Sequence, residues 1–144
     1  FFNVYGPRQD PILVVSQNIK RAVQGKLPIL YDGGNQTRCF TYVEDAVEAT
    51  IKVAESSNCR GEAFNVGSSF EYTIKSLLQE ICKISGLKSG FEEVNTKEMY
   101  GDKYQDIVRR VPSVEKVKNY IGWVAQTDVP TGLKKTFDWA SKIY

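Results

Sequence analysis

Histidine is absent from the 144 residues of this chain. Its absence excludes Ser-His-Asp and Cys-His catalysis and most zinc and non-haem iron sites, because these depend on an imidazole. Any acid–base chemistry on the chain would have to use carboxyl, phenol, amine or thiol groups, or an arginine that acts electrostatically.

Cysteine is scarce, and the chain also lacks long apolar runs and an excess of charge. The three cysteines, Cys39, Cys59 and Cys82, are odd in number and widely spaced, which favours buried free thiols in a reducing cytoplasm over disulfides or a metal site. No apolar run approaches the roughly 20 residues of a membrane-spanning helix. With 19 basic and 17 acidic residues, the net charge of +2 gives no sign of a nucleic-acid or membrane partner.

Three sequence patterns of nucleotide-dependent enzymes are missing. The sequence contains neither G-x-G-x-x-G nor a P-loop, so it predicts no cradle for a dinucleotide pyrophosphate. No tyrosine is followed four positions later by a lysine. We therefore expect no cofactor-binding residues in this chain.

The most informative stretch runs from position 32 to position 45. It begins with a turn, Asp32 to Asn35, whose residues reach positive φ at low cost, and its β-rich middle predicts a strand. Asp45 followed by Glu48 predicts a helix N-cap. Arg38 lies where the turn becomes strand. Its planar guanidinium would suit a phosphate or a carboxylate there, although an arginine beside a glycine-rich turn is more often a solvated strand edge.

Elsewhere the patterns predict an α/β fold of at least three strands and about five helices. Strands are predicted at 1–5, 28–31 and 63–67, and 91–94 is a further candidate. Helices are predicted to start at Asp10-Pro11, Asp45, Thr73, Ser113 and Asp128 with Pro130. A polar segment from 97 to 110, with Tyr100 and Tyr104, is a candidate loop over a ligand.

Several polar side chains fall at the ends of predicted strands, where ligands bind in α/β sheets. They are Asn3, Arg8, Arg38, Asn65, Arg109 and Arg110. Converging arginines would suit a diphosphate, whereas arginines on different faces would be ordinary surface charges. Asn3, in an apolar strand, is either a satisfied core amide or a ligand group. The residues alone leave both questions open.

Read together, five segments resemble the C-terminal half of the extended short-chain dehydrogenase/reductases that act on nucleotide sugars. They occur in that family's order and approximate spacing over nearly the whole chain. The segments are Phe2-Asn3-Val4-Tyr5-Gly6-Pro7-Arg8, Gln36-Thr37-Arg38 with Phe40, Tyr42, Val43 and Asp45, Phe64-Asn65-Val66-Gly67, Gly122-Trp123, and Gly132-Leu133 with Thr136 and Trp139.

The resemblance implies that residues 1–11 end a Rossmann-type nucleotide-binding domain and that residues 12–144 form the substrate-binding lobe. The family's NAD-binding turn and its catalytic tyrosine and lysine would lie upstream, so the apolar strand at 1–5 is expected to lack its sheet partner here. The full-length enzyme would use NAD on a nucleotide-diphosphate sugar, most simply a UDP-sugar, and would be a homodimer. This chain alone is expected to have no turnover.

Carried over by position, the resemblance assigns substrate-binding roles to five residues. Asn3 would contact the sugar or the diphosphate, and Arg38 would bind a nucleotide phosphate. Leu30 and Tyr31 would lie near the base. Arg8 is also carried over as a substrate-binding residue.

The segment 100–113 resembles one branch of the family more than the common epimerases. Its Tyr-Gly-x-x-Tyr-x-Asp run, followed by Arg-x-Pro, is similar to that of bacterial UDP-glucuronic acid decarboxylases and plant UDP-apiose synthases. The match implies that Arg110 faces the diphosphate or a sugar carboxylate, and it makes Arg110 the chain's one catalytic candidate. Arg109 would be a surface neighbour. The reaction stays open among 4-epimerase, dehydratase and decarboxylase. The alternative of another class is a free-standing, non-catalytic nucleotide-sugar-binding module.

Overall fold

The structure, a computed structural model, describes residues 1–88, 90–96, 98 and 106–144. The chain is α/β, as predicted. Its strands are β1 (Val4–Tyr5), β2 (Ile29–Tyr31), β3 (Thr37–Cys39), β4 (Thr41–Tyr42), β5 (Glu71–Thr73), β6 (Glu92–Val94) and β7 (Arg109–Arg110). The helices with both ends in the described ranges are α1 (Val14–Val23), α2 (Val43–Glu55), α3 (Ile74–Ser85), α4 (Glu115–Ile121) and α5 (Val129–Ala140).

The strands pair in three small sheets. β1 lies parallel to β4, and β2 lies parallel to β6. In the third sheet β3 is central, antiparallel to β5 and parallel to β7. The prediction that the first strand lacks a partner is wrong, because Val4 and Tyr5 pair with Thr41 and Tyr42 of the same chain.

Helices α1, α3 and α5 pack against one another around the larger apolar core. α3 forms as predicted, since Leu77 and Ile81 recur at helical spacing and are fully buried. The Thr73 hydroxyl caps it by accepting the Ser76 N–H at 3.0 Å. Gly86, at φ 69°, ends it in the left-handed conformation that a C-terminal glycine supplies.

Helix α5 also begins where the sequence predicts. The Asp128 carboxylate accepts the Thr131 N–H at 2.8 Å, and the hydrogen bonds from Thr131 hold the pKa of Asp128 below its usual range. The helix runs over the Tyr5 ring, whose hydroxyl donates to the Val129 carbonyl at 3.3 Å. Burial raises the pKa of the Tyr5 phenol above its ordinary value. Gly132 allows this close approach because it has no side chain.

Helix α1 starts later than predicted. It begins at Val14 because the Asp10 carboxylate accepts the Ile12 N–H at 3.1 Å and closes a turn ahead of the helix. The apolar spacing of Ile12, Val15 and Ile19 predicts one buried helix face, but Ile12 lies ahead of the helix and is 78% exposed. Val15 and Ile19 are buried, as the helical spacing predicts.

Helix α2 starts earlier than predicted, and Asp45 is not its cap. The helix begins at Val43, which places Asp45 inside the first turn and buries it. The Asp45 carboxylate instead accepts the backbone N–H of Thr127 at 2.9 Å and its hydroxyl at 3.1 Å. It thereby ties α2 to the segment that precedes α5.

Two further predictions are corrected. Positions 63–67 form no strand; the Val66 carbonyl accepts the Phe2 N–H at 3.0 Å, and the strand that follows α2 is β5. The N-cap of α4 is Val114, which offers no side-chain acceptor. The Ser113 carbonyl instead accepts the Asn65 amide at 3.2 Å.

A second, smaller apolar cluster lies between α2 and α4. Trp123 fills it against Ala49 and Val117 and is 1% exposed. The cysteines are buried free thiols, as predicted, and burial raises the pKa of Cys39 and Cys82. Within the described ranges, no helix combines the length and apolar character needed to cross a membrane.

Candidate anion-binding cleft

Two arginines lie side by side on neighbouring strands. Arg38 of β3 and Arg110 of β7 are Cα partners in the parallel register. Side chains of directly opposed residues project from the same face of a sheet. Like charges in this arrangement are destabilising unless other groups or a bound anion offset them. The pairing of β3 with β7 therefore brings together two arginines that are far apart in sequence. A bound anion between them would offset the repulsion between their charges.

A cleft of about 470 Å³ opens beside this pair, a volume typical of small-molecule sites. Its lining has a polar and an apolar part. Polar lining is contributed by two arginines, two carboxylates and four neutral side chains: Arg38, Arg110, Asp32, Asp106, Asn3, Gln17, Gln36 and Thr96. The more apolar wall contains Pro11, Ile12, Val14, Tyr31, Phe40 and Ile74.

Arg38 is held in place by two hydrogen bonds and is only 7% exposed. Its Nη2 donates to Asp106 Oδ1 at 2.9 Å, and its Nη1 donates to the Thr37 carbonyl at 2.7 Å. A nearly buried charge needs such a partner. These bonds use only part of the five N–H donors of a guanidinium, so Arg38 can still donate to an anion in the cleft.

Arg110 is exposed and is held by a neutral side chain. Its Nη2 donates to Asn3 Oδ1 at 2.9 Å, while Asn3 Nδ2 donates to the Cys39 carbonyl at 2.8 Å. Among the described residues, no carboxylate forms an ion pair with Arg110. The positive charge of Arg110 therefore remains available at the cleft.

The neighbouring arginine of β7 lies away from the cleft. Arg109 Nε and Nη2 each donate to Glu71 at 3.0 Å, and the Thr37 hydroxyl donates to the same carboxylate. The hydrogen bonds from Thr37 and Arg109 lower the pKa of Glu71. Arg109 is 67% exposed in this ion pair and is the natural control for experiments on Arg110.

The fold places some of the other predicted site residues in the cleft and others away from it. Tyr31 lines the cleft, whereas Leu30, its neighbour in β2, points to the opposite side and is 1% exposed in the core. Arg8 is exposed, has φ 68°, and is not among the described residues that line the cleft. Tyr100 and Tyr104 of the predicted loop lie outside the described residues.

Of the residues that line the cleft, sequence reasoning predicted only Asn3, Tyr31, Arg38 and Arg110. Gln36 and Phe40 flank β3 at two positions on either side of Arg38, so the period of two could have placed them on the same face. Asp106 lies 68 positions from Arg38, and no local pattern signals their ion pair. The ion pair between Arg38 and Asp106 becomes evident only in the structure, where β3 and β7 pair.

The cleft therefore combines paired guanidinium groups with an aromatic and aliphatic wall. Forked donors suit phosphate or carboxylate oxygens, and the wall suits a flat or apolar group attached to them. No cluster of three or more His, Cys, Asp and Glu that could hold a metal ion occurs in the described part of the chain. The fold and cleft define an α/β chain with a candidate site for an anionic small molecule.

The family follows from comparison with known proteins. Residues 1–136 match the family model described as GDP-mannose 4,6 dehydratase. The chain therefore belongs to this family, which confirms the resemblance to nucleotide-sugar epimerases and dehydratases of the extended short-chain dehydrogenase/reductase type.

Similar proteins include enzymes of several reactions. A UDP-N-acetyl-alpha-D-glucosaminuronate decarboxylase of Bacillus cytotoxicus is 37% identical, covering 99% of this chain and 45% of that protein. The dTDP-glucose 4,6-dehydratase of Bacillus anthracis in complex with NAD has a TM-score of 0.85 at 27% identity, covering 99% and 43%. The UDP-glucuronic acid 4-epimerase of Bacillus cereus in complex with UDP-glucuronic acid and NAD has a TM-score of 0.86 at 26% identity, covering 99% and 44%. The chain spans less than half the length of these relatives.

Proposed function

We propose that this chain is the substrate-binding part of an NAD-dependent nucleotide-sugar enzyme and that its cleft binds a nucleoside diphosphate sugar. The observation that carries the proposal is the in-register pair of Arg38 and Arg110 on one cleft. A diphosphate carries negative charge on two adjacent phosphates, which matches two adjacent guanidinium groups.

Each part of the ligand has a matching part of the cleft. Arg38, held rigidly between Asp106 and the Thr37 carbonyl, would bind one phosphate. Arg110 would bind the other phosphate or a carboxylate on the sugar. Tyr31 belongs to the more apolar wall and would lie near the base. We assign no contact with the base to Leu30, because it is enclosed by the core.

The glycine-rich turn in the described part of the chain does not fit NAD. A dinucleotide pyrophosphate is normally held where a glycine-rich turn leads into a helix N-terminus. Here the turn at Gly33 and Gly34 leads from β2 into the strand β3. We therefore place NAD on another part of the whole enzyme and derive no step through it.

The whole enzyme is proposed from its relatives. A decarboxylase and a 4-epimerase that act on UDP-sugars by name are among them, which supports a UDP-sugar and either of those reactions. We assign residues 1–11 to the nucleotide-binding domain and residues 12–144 to the substrate lobe. A cytoplasmic homodimer remains a prediction.

The chain alone should give no product from UDP-glucuronic acid and NAD. Turnover by the isolated chain would contradict the assignment of the chemical step to another part of the whole enzyme.

Calorimetric titration of the chain with UDP and with uridine tests the cleft assignment. UDP should bind about a hundredfold more tightly than uridine, because charge-assisted hydrogen bonds to the diphosphate supply most of the affinity. The difference should shrink as salt screens the exposed Arg110. Equal affinity for the two ligands, or no binding of UDP, would contradict the proposal.

A further inference from the structure

Two glutamine side chains line the cleft without a partner in the described part of the chain. Gln17 and Gln36 both belong to the lining, and no hydrogen bond within the described ranges engages either side-chain amide. The amide of Asn3, by contrast, is engaged at both ends. A primary amide carries two N–H donors and one carbonyl acceptor. The cleft therefore offers unused, uncharged hydrogen-bonding groups in addition to its two arginines.

Gln17 belongs to the apolar side of the cleft. It lies three residues after Val14 on α1, so the two side chains project from the same face of the helix, and both line the cleft. The turn ahead of α1 adds further apolar lining. Gln36 instead lies two residues before Arg38, on the face that carries the arginines. The amide of Gln17 is therefore the polar group that α1 contributes to an otherwise apolar wall.

A buried asparagine fixes the rotation of α1. Asn18 donates from Nδ2 to the Val14 carbonyl at 2.8 Å and accepts the Ile29 N–H at 2.7 Å. The second bond ties α1 to the first residue of β2, whose last residue, Tyr31, also lines the cleft. Adjacent residues of a helix point about 100° apart. With Asn18 turned into the core, Gln17 lies at the edge of the core, half-buried, and faces the cleft.

We infer that Gln17 binds the hydrogen-bonding edge of the nucleotide base. This inference rests on the proposed binding of a nucleoside diphosphate sugar. A base laid against the apolar wall would bury the polar atoms of its edge, which is unfavourable unless those atoms are hydrogen-bonded. In uracil this edge carries a ring N–H between two carbonyl groups. The amide of Gln17 would accept from the ring N–H and donate to an adjacent carbonyl, which gives two hydrogen bonds between neutral groups.

The inference is tested by a cycle that pairs a change in the chain with a change in the ligand. Gln17→Met keeps the length and helix propensity of the side chain but removes the amide. By calorimetry it should bind UDP about tenfold more weakly than the wild type, as expected for two lost neutral hydrogen bonds. The wild type should discriminate similarly against 3-methyluridine 5′-diphosphate, which lacks the ring N–H. The variant should bind both nucleotides nearly equally, whereas additive losses would overturn the inference.

A ligand without a base separates contact with the base from an effect on folding. Inorganic pyrophosphate should bind the wild type and the Gln17→Met chain equally, because the substitution leaves both arginines in place. The ratio of the two chains' UDP affinities should also stay constant as salt is added, since a neutral amide is not screened. Equal losses of UDP and pyrophosphate affinity would overturn the inference, because Gln17 would then act on the diphosphate or on the fold.

A second glutamine provides the matched control. Gln24 directly follows α1, is exposed, and is not among the described residues that line the cleft. Gln24→Met should therefore leave the affinities for all three ligands unchanged. A wild-type chain that does not bind UDP would refute the proposed function itself. A wild-type chain that binds UDP, with a Gln17→Met chain that binds it equally well, would refute only the role of Gln17.

Discussion

Arg38→Ala is expected to lower the affinity of the chain for UDP about a hundredfold, which corresponds to the loss of about 3 kcal/mol of charge-assisted hydrogen bonding. Arg38 is nearly buried and fixed by Asp106, so its donors are pre-oriented and little entropy is lost when an anion binds. Calorimetry of the wild type and the variant gives the ratio of dissociation constants directly.

Lysine at the same position separates charge from geometry. Arg38→Lys keeps the positive charge but loses the planar fork, so its affinity for UDP should lie between those of the wild type and the alanine variant. Arg109→Ala provides the matched control, since it removes an arginine one residue from Arg110 that is bonded to Glu71. An alanine variant at position 38 that binds UDP as tightly as the wild type would show that the ligand does not use this guanidinium.

Gly132→Ala is expected to lower the free energy of unfolding by about 2 kcal/mol. A methyl group at this position would overlap the Tyr5 hydroxyl and lie 2.8 Å from its Cζ atom and 3.1 Å from Cδ2 of Tyr42. Overpacking of this kind costs about 3 kcal/mol. The higher helix propensity of alanine offsets about 1 kcal/mol of that cost. Urea denaturation of both chains measures the difference.

A second background checks the cause of this destabilisation. In a Tyr5→Phe chain the overlapping oxygen is gone, so Gly132→Ala should cost less than it does in the wild type. The hydrogen bond from Tyr5 to the Val129 carbonyl is lost in both members of that comparison and cancels. If Gly132→Ala instead raises stability, the Tyr5 ring can move aside and the packing account of α5 is wrong.

Local chemistry made some helices predictable. Thr73 and Asp128 cap α3 and α5 because each side chain accepts a hydrogen bond from the backbone N–H three residues ahead. Such a contact can be predicted from the neighbouring residues alone. Asp45 carries a similar local signature but bonds to Thr127, far away in the chain. No reading of neighbouring residues could have distinguished the two cases, because the competing partner is brought in by tertiary packing.

The arrangement of the cleft also could not be predicted from neighbouring residues. The place of Arg38 between a glycine-rich turn and a strand makes it a candidate site residue, and the resemblance to nucleotide-sugar enzymes does the same for Arg110. The pairing of the two, and the ion pair of Arg38 with Asp106, depend on the register of β3 and β7. Strand register is set by long-range contacts, so the sequence alone left open whether the arginines converge.

The most direct test of the central claim is to map where UDP binds on the chain by the shifts of its backbone amide signals during a titration. The account predicts that the largest shifts belong to residues of the cleft, centred on Gln36, Arg38 and Arg110, with Arg109→Ala leaving the pattern intact. Shifts centred instead on the exposed side of α4, with Arg38 and Arg110 unaffected, would contradict it.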